Sequence, residues 1–111
     1  MNDCIWIHYA RPRPHWYELD EATQLALERN WGAIRSLSER QGAERIGSYH
    51  IRGNHDFETV EIWRFVTPEA AFEHWVKLTG ERYNEWFAYA NNIGFTTDRP
   101  ESPSARPNLL R

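Results

Sequence analysis

Residues 45–52, RIGSYHIR, and 57–66, FETVEIWRFV, alternate apolar with polar side chains and flank Gly53-Asn54-His55-Asp56. Strand side chains project to opposite faces with period two, and a short Gly/Asn/Asp run between two such segments turns the chain back on itself. The middle of this chain therefore reads as a β-hairpin. An isolated hairpin is marginal in water, so the rest of the chain must supply further strands and a covering layer. A four-residue loop sets His50 opposite Thr59 and Ser48 opposite Glu61.

The flanking sequence supplies both. Residues 4–10, CIWIHYA, are short, β-branched and aromatic and stop at RPRP, which predicts a first strand followed by a stiff crossover through Pro12 and Pro14. From Leu19 or Asp20 to about Gln41, Ala22, Leu25, Ala26, Ile34 and Leu37 recur at helical spacing, with Trp31 at the stripe's edge and Gly42 as a stop. Thr67-Pro68-Glu69 predicts an N-cap, a proline in the first turn and a favourable acid for a second helix to about Leu78. Beyond Thr79-Gly80, Tyr83, Trp86, Phe87 and Ala90 keep helical spacing to Gly94, so a second helical piece is expected. A short strand near Ile93–Thr96 is optional. The order βαββα(β) is an α+β pattern of ferredoxin-like type, an antiparallel sheet with helices on one face. Residues 1–97 form the expected single domain, and 98–111 a Pro/Ser/Arg-rich tail, flexible or docked on a partner subunit.

Composition narrows the partners. A chain of 111 residues with 41% hydrophobic and 14% aromatic content, including six Trp, buries a real core in one domain. Residues 1–98 carry 10 basic against 15 acidic groups, while 99–111 carry three Arg and one Glu. Only one Lys occurs, Lys77, so the body lacks the basic stripe that neutralises phosphates and a nucleic-acid function is not expected. Cys4 is the only cysteine, which excludes an intrachain disulfide and a Cys-based zinc site and fits a reducing compartment. With no leader-like start and no apolar run of spanning length, neither a signal nor a membrane segment is read, and the expected location is cytoplasmic.

Period-two alternation splits the strands into two sets. Ile5, Ile7, Tyr9, Tyr49, Ile51, Val60, Ile62 and Val66 read as the helix-facing core. Cys4, Trp6, His8, Ile46, Ser48, His50, Arg52, Thr59, Glu61, Trp63 and Phe65 mix aromatics with titratable groups and read as an open face. If strand one lies beside strand three, His8, Glu61 and His50 approach one another on a floor walled by Trp6, Trp63 and Phe65. Exposed Trp and Phe call for a cover, and the simplest is the same face of a second copy, which predicts a homodimer enclosing a cavity.

The strand, long helix, hairpin G-S-Y-H-I-R-G with F-E-T-V-E-I-W-R-F, and T-P-E-A-A-F-E-H-W resemble the dimeric α/β-barrel superfamily. The stretch R-P-R-P-H-W-Y-E-L-D is similar to that of small bacterial families with a Pro-x-Trp loop, and the resemblance covers residues 4 to about 95. It implies a ferredoxin-like dimer hosting small organic ligands, with relatives among antibiotic-biosynthesis monooxygenases, polyketide cyclases, haem-degrading enzymes and dehalogenase-like proteins. The sequence departs from that pattern in lacking a clear fourth strand.

Imidazole titrates near neutrality, so His8 and His50 are candidate general acid and base, with Glu61 orienting one of them. Trp6, Trp63 and Phe65 would hold a hydrophobic, aromatic or polyketide-like substrate, and Tyr83 and Trp86 would extend the pocket. Ser48 and Arg52 would stabilise developing oxyanion charge. The reading is a cofactor-independent oxygenase, cyclase or lyase, with no cofactor and no metal. A divalent-metal facial triad of His8, His50 and Glu61 is the alternative, but no compact ligand motif supports it. The bland reading makes the same groups hydrogen-bonded lining of a cavity in a non-catalytic small-molecule-binding or stress-related dimer. A haem-binding relative, with His as axial ligand in an aromatic pocket, is a third reading. His15, His55 and His74 are assigned solvent-facing or capping roles, Cys4 ranks below the histidines, and no Gly-rich phosphate loop is present.

Overall fold

A computed structural model describes residues 3–97. The expectation for 98–111 lies outside the described residues. Strand β1 (Cys4–Pro12) leads through a 3-10 turn (Pro14–Glu18) to α1 (Glu21–Arg40); β2 (Glu44–His50) and β3 (Thr59–Phe65) form the hairpin; α2 (Pro68–Gly80) and the short α3 (Tyr83–Trp86) precede β4 (Phe87–Phe95). The four strands form one sheet in the order β2-β3-β1-β4, with β1 antiparallel to both β3 and β4. This is the α+β, ferredoxin-like arrangement with its helices on one face.

Local signals act where the sequence places them. Asp20 caps α1 by accepting from the Thr23 N–H at 2.7 Å, and Thr67 caps α2 by accepting from the Ala70 N–H at 3.1 Å, with Pro68 in the first turn. In the hairpin, Asn54 Oδ1 accepts from the N–H groups of Asp56 and Phe57, which holds the tight turn. His50 pairs with Thr59 and Ser48 with Glu61, as expected, until a bulge at Ile46 shifts Arg45 opposite Trp63.

Two expectations are corrected. The second helical piece stops after four residues, and residues 87–95 form a nine-residue strand instead of continuing as helix to Gly94. Phe87, Tyr89, Asn91, Ile93 and Phe95 alternate at spacing two, and the free edge of β1 offers nine partners, so tertiary pairing overrides the helical spacing.

The second correction inverts the sheet. Cys4, Trp6, His8, Trp63 and Phe65, read as an open face, are each no more than 2% exposed and lie under the helices, where Trp6, Trp63 and Phe65 ring His74 of α2. Ile5, Ile7, Tyr9 and Ile62, read as core, are half-buried on the side without helices. The largest rings release the most apolar area and fill the interlayer space, whereas the smaller branched set leaves the opposite face apolar but thin. His8 and Glu61 tolerate the interior because their polar atoms find partners there.

Trp63 is 0% exposed, and Trp63→Ala is expected to cost about 3–5 kcal/mol in a urea unfolding titration. Leu25→Ala, at a 48% exposed position of α1, should stay within about 0.5 kcal/mol of wild type. Equal costs for the two would return Trp63 to an exposed face.

Candidate functional site

The interlayer space holds a polar seam inside an aromatic core. His8, in the middle of β1 and 2% exposed, has Nδ1 2.6 Å from Asn91 Oδ1 and Nε2 2.8 Å from the Tyr83 hydroxyl. A carbonyl oxygen only accepts, so Nδ1–H donates to Asn91 and Nε2 accepts from Tyr83, which defines a neutral tautomer. Burial lowers the His8 pKa, Arg35 adds to that, and the Asn91 bond and Glu61 only partly oppose it. The ring stacks on Trp6 at 4.9 Å between centroids. Burial likewise pushes the Tyr83 phenol well above its ordinary range, so it stays a hydroxyl donor.

Glu61, the cross-strand partner of His8, accepts from the Trp63 indole N–H at 2.8 Å and lies 3.4 Å from Arg35 Nη2 of α1. Burial would raise its pKa, but Arg35, the indole bond, His8 and Arg45 together outweigh it, and the carboxylate is held below its ordinary range. Three residues on from Arg35, Ser38 Oγ lies 2.6 Å from Nδ1 of His74, which is 1% exposed. Burial first and the Arg35 cation second lower the His74 pKa to about 4. Two polar atoms of this seam, His74 Nε2 and Arg35 Nε, are buried without a hydrogen-bond partner among the described residues. Such orphans are rare and point to an absent water, ion or ligand.

The fold brings together only part of the expected set. His8, Glu61, Trp6, Trp63, Phe65 and Tyr83 meet in the seam. Trp86 is buried in an adjoining cluster with Trp16, beside His15 and under Arg82. Ser48, His50 and Arg52 are exposed on or beyond the outer strand β2, so His50 does not join His8 in a shared pocket. Among the described residues no group of three His, Cys, Asp or Glu is placed to hold a metal ion. Arg35, Ser38 and Asn91 belong to the seam and escaped the sequence reading, and His74, expected to face solvent or cap, is buried in it at 1% exposure. For His74 a signal existed, because Ala71, His74 and Leu78 fall at helical spacing on one buried side of α2.

As to haem, His74 offers a neutral imidazole whose Nδ1 is fixed by a hydroxyl and whose Nε2 is unengaged. Room is lacking. The cleft beside it, lined by Ser38, Phe65, Ala70 and His74 among others, is about 50 Å³, whereas organic ligands occupy pockets of about 300 Å³ or more. In this packing the residues do not accommodate a haem.

No family model matches the sequence, and no curated protein matches it. Solved structures share the fold. A chlorite dismutase from Candidatus Nitrospira defluvii in complex with imidazole superposes with TM-score 0.71 at 14% identity, covering 90% of this chain and 42% of that one. A mutant of the same enzyme in complex with cyanide gives 0.66 at 12%, covering 87% and 41%. A further protein assigned as a chlorite dismutase gives 0.66 at 20%, covering 86% and 44%. The chain thus spans less than half the length of the structures it resembles.

His74 stays neutral down to about pH 4 in the fold but takes a proton near 6.5 when unfolded, so across that window the unfolded state binds more protons. Stability is expected to fall as pH drops from about 6.5 to about 4, by about 3 kcal/mol from His74 alone, with His8 adding in the same direction. Glu61 loses its contribution only at lower pH, below its ordinary 4.5. His74→Gln should flatten the dependence of the urea midpoint on pH across the upper window. An unchanged slope would mean that His74 ionises freely in the fold.

Proposed function

We propose that this chain is a small-molecule-binding protein that works as a homodimer, with the ligand held at the His74–Arg35 end of the interlayer seam. The observation that carries the reading is that two of the three buried atoms without a partner among the described residues, His74 Nε2 and Arg35 Nε, belong to the seam, whose other polar groups bond one another, while the third, Trp86 Nε1, lies in the adjoining cluster. Arg35 Nε–H donates only, and when the Ser38 hydroxyl donates to Nδ1 of His74 its Nε2–H donates as well, so in that tautomer a ligand offering acceptor atoms satisfies both. Phe65 lines the cleft, Trp6 and Trp63 pack on the His74 ring behind it, and His8 and Glu61 fix the charge of the seam.

This account is better supported than a cofactor-independent oxygenase, cyclase or lyase. A general base needs a lone pair facing its substrate, and both nitrogens of His8 are engaged inside the protein while His50 stands outside on β2. Haem binding is the second reading, favoured by the free Nε2 of His74 and by likeness to structures solved with imidazole and cyanide, both of which coordinate metals. Either ligand needs α2 to move off the sheet, because the cleft at His74 is too small as packed for an organic molecule, and haem needs the larger movement.

A second copy covers the open sheet face. Ile5, Ile7, Tyr9 and Ile62 form an apolar surface without a helix layer, and the structures this chain resembles are more than twice the length it spans, enough for two such units. No described helix is long and apolar enough to cross a membrane, and the single free cysteine fits a cytoplasmic setting.

Three experiments test this. Haemin titrated into purified protein should leave the Soret band at its free position, while calorimetry with small aromatic acids should show binding that weakens at least 10-fold in Arg35→Met. A shifted Soret band abolished by His74→Ala would put haem first, and calorimetry without heat for any probe, combined with no Soret shift, would remove the binding reading. Sedimentation should give a dimer at micromolar concentration, and Ile7→Glu should give a folded monomer. A wild-type monomer at high micromolar concentration would rule the dimer out.

A further inference from the structure

The outer side of α2 carries a groove that the seam and the open sheet face leave unexplained. Phe72 and Val76, 64% and 46% exposed, lie four residues apart and so on one side of the helix. With Ile93 of β4, 43% exposed, they floor a groove of about 600 Å³ whose rim carries Glu69, Glu73 and Lys77. The helix already buries Ala71, His74 and Leu78 on its inner side, so folding does not call for these outer side chains. An exposed apolar patch with a polar rim is the mark of an interaction site.

We propose that a later segment of this same chain, residues 104–111, SARPNLLR, docks in the groove, with Leu109 and Leu110 on Phe72, Val76 and Ile93. Three observations select this occupant. The segment pairs two adjacent leucines with Arg106 and Arg111 and carries no acid, while the groove sets Glu69 and Glu73 against Lys77 alone. It follows β4, whose Ile93 is part of the groove floor, so the chain arrives at the site. The stretch from Thr97 to Leu109 reaches at most about 40 Å when extended, enough to turn back along α2. Such a tether holds the leucines at an effective concentration on the order of millimolar, so a modest apolar contact suffices to keep them docked.

A nitroxide attached to full-length protein through Asn108→Cys reads this directly, because Cys4 is buried. Signals of Phe72, Val76 and Ile93 should broaden at least three-fold, independently of protein concentration. Adding Leu109→Glu and Leu110→Glu should restore the signals, and Glu69→Lys with Glu73→Lys should weaken the broadening. All these sites are at the surface or outside the described fold, so the sheet itself is unaffected. Absence of broadening, or broadening indifferent to the leucine changes, would overturn the proposal. Broadening that appears only between labelled and unlabelled molecules in a mixed sample would assign the groove to a second copy and overturn it equally.

Discussion

Burying a histidine at the centre of a central strand is costly unless its ring nitrogens are bonded, and meeting that demand at His8 organises the molecule. A buried polar atom left without its partner costs about 1–3 kcal/mol. The two partners, Tyr83 and Asn91, come from the segment after α2, more than 70 residues away. They pin the last third of the described chain to the first strand. Asn91 lies opposite His8 across the β1–β4 ladder, so one polar pair specifies the register of β4. A one-residue slip would turn Asn91 to the other face and leave the imidazole unpaired.

Tyr83 extends the same constraint into the aromatic core. Its ring stacks on Phe87 at 5.0 Å and meets the edge of Trp31 at 5.1 Å, while its hydroxyl reaches His8. It therefore joins the cluster around Trp16, Trp31 and Trp86 to the one around Trp6, Trp63 and His74. The four-residue helix that delivers it begins after Arg82, whose φ of 68° lies in the left-handed region. For a side-chain-bearing residue this costs about 1–2 kcal/mol. Arg82 offsets part of it through its pair with Glu85 and its position over the Trp86 ring.

The hairpin, both helix caps and the cross-strand pairs His50–Thr59 and Ser48–Glu61 were legible in the sequence because they rest on local chemistry and period two. So was the meeting of His8 with Glu61, since it needs only β1 beside β3. The inward face is not legible, because titratable side chains in a strand suggest exposure whereas their partners here are remote in sequence. Arg35 and Ser38 on α1, His74 on α2 and Asn91 on β4 converge only after the layers pack, and no short-range pattern announces such a convergence. β4 was misread because Tyr83, Trp86, Phe87 and Ala90 satisfy helical spacing while Phe87, Tyr89, Ile93 and Phe95 satisfy alternation. The unpaired edge of β1 decides between the two.

The bulge at Ile46 interrupts the ladder on one outer strand of the sheet, and strongly twisted, interrupted strands make poor templates for another backbone. β4, on the opposite margin, runs nine residues paired in unbroken register with β1 and presents an uninterrupted row of donors and acceptors outward. The two margins are thus unequal. Of the two, the margin formed by β4 is the better template for another backbone and the bulged margin the poorer. Repeated edge addition, the route by which open sheets become fibres, needs two good templates, and among the described residues this sheet offers one.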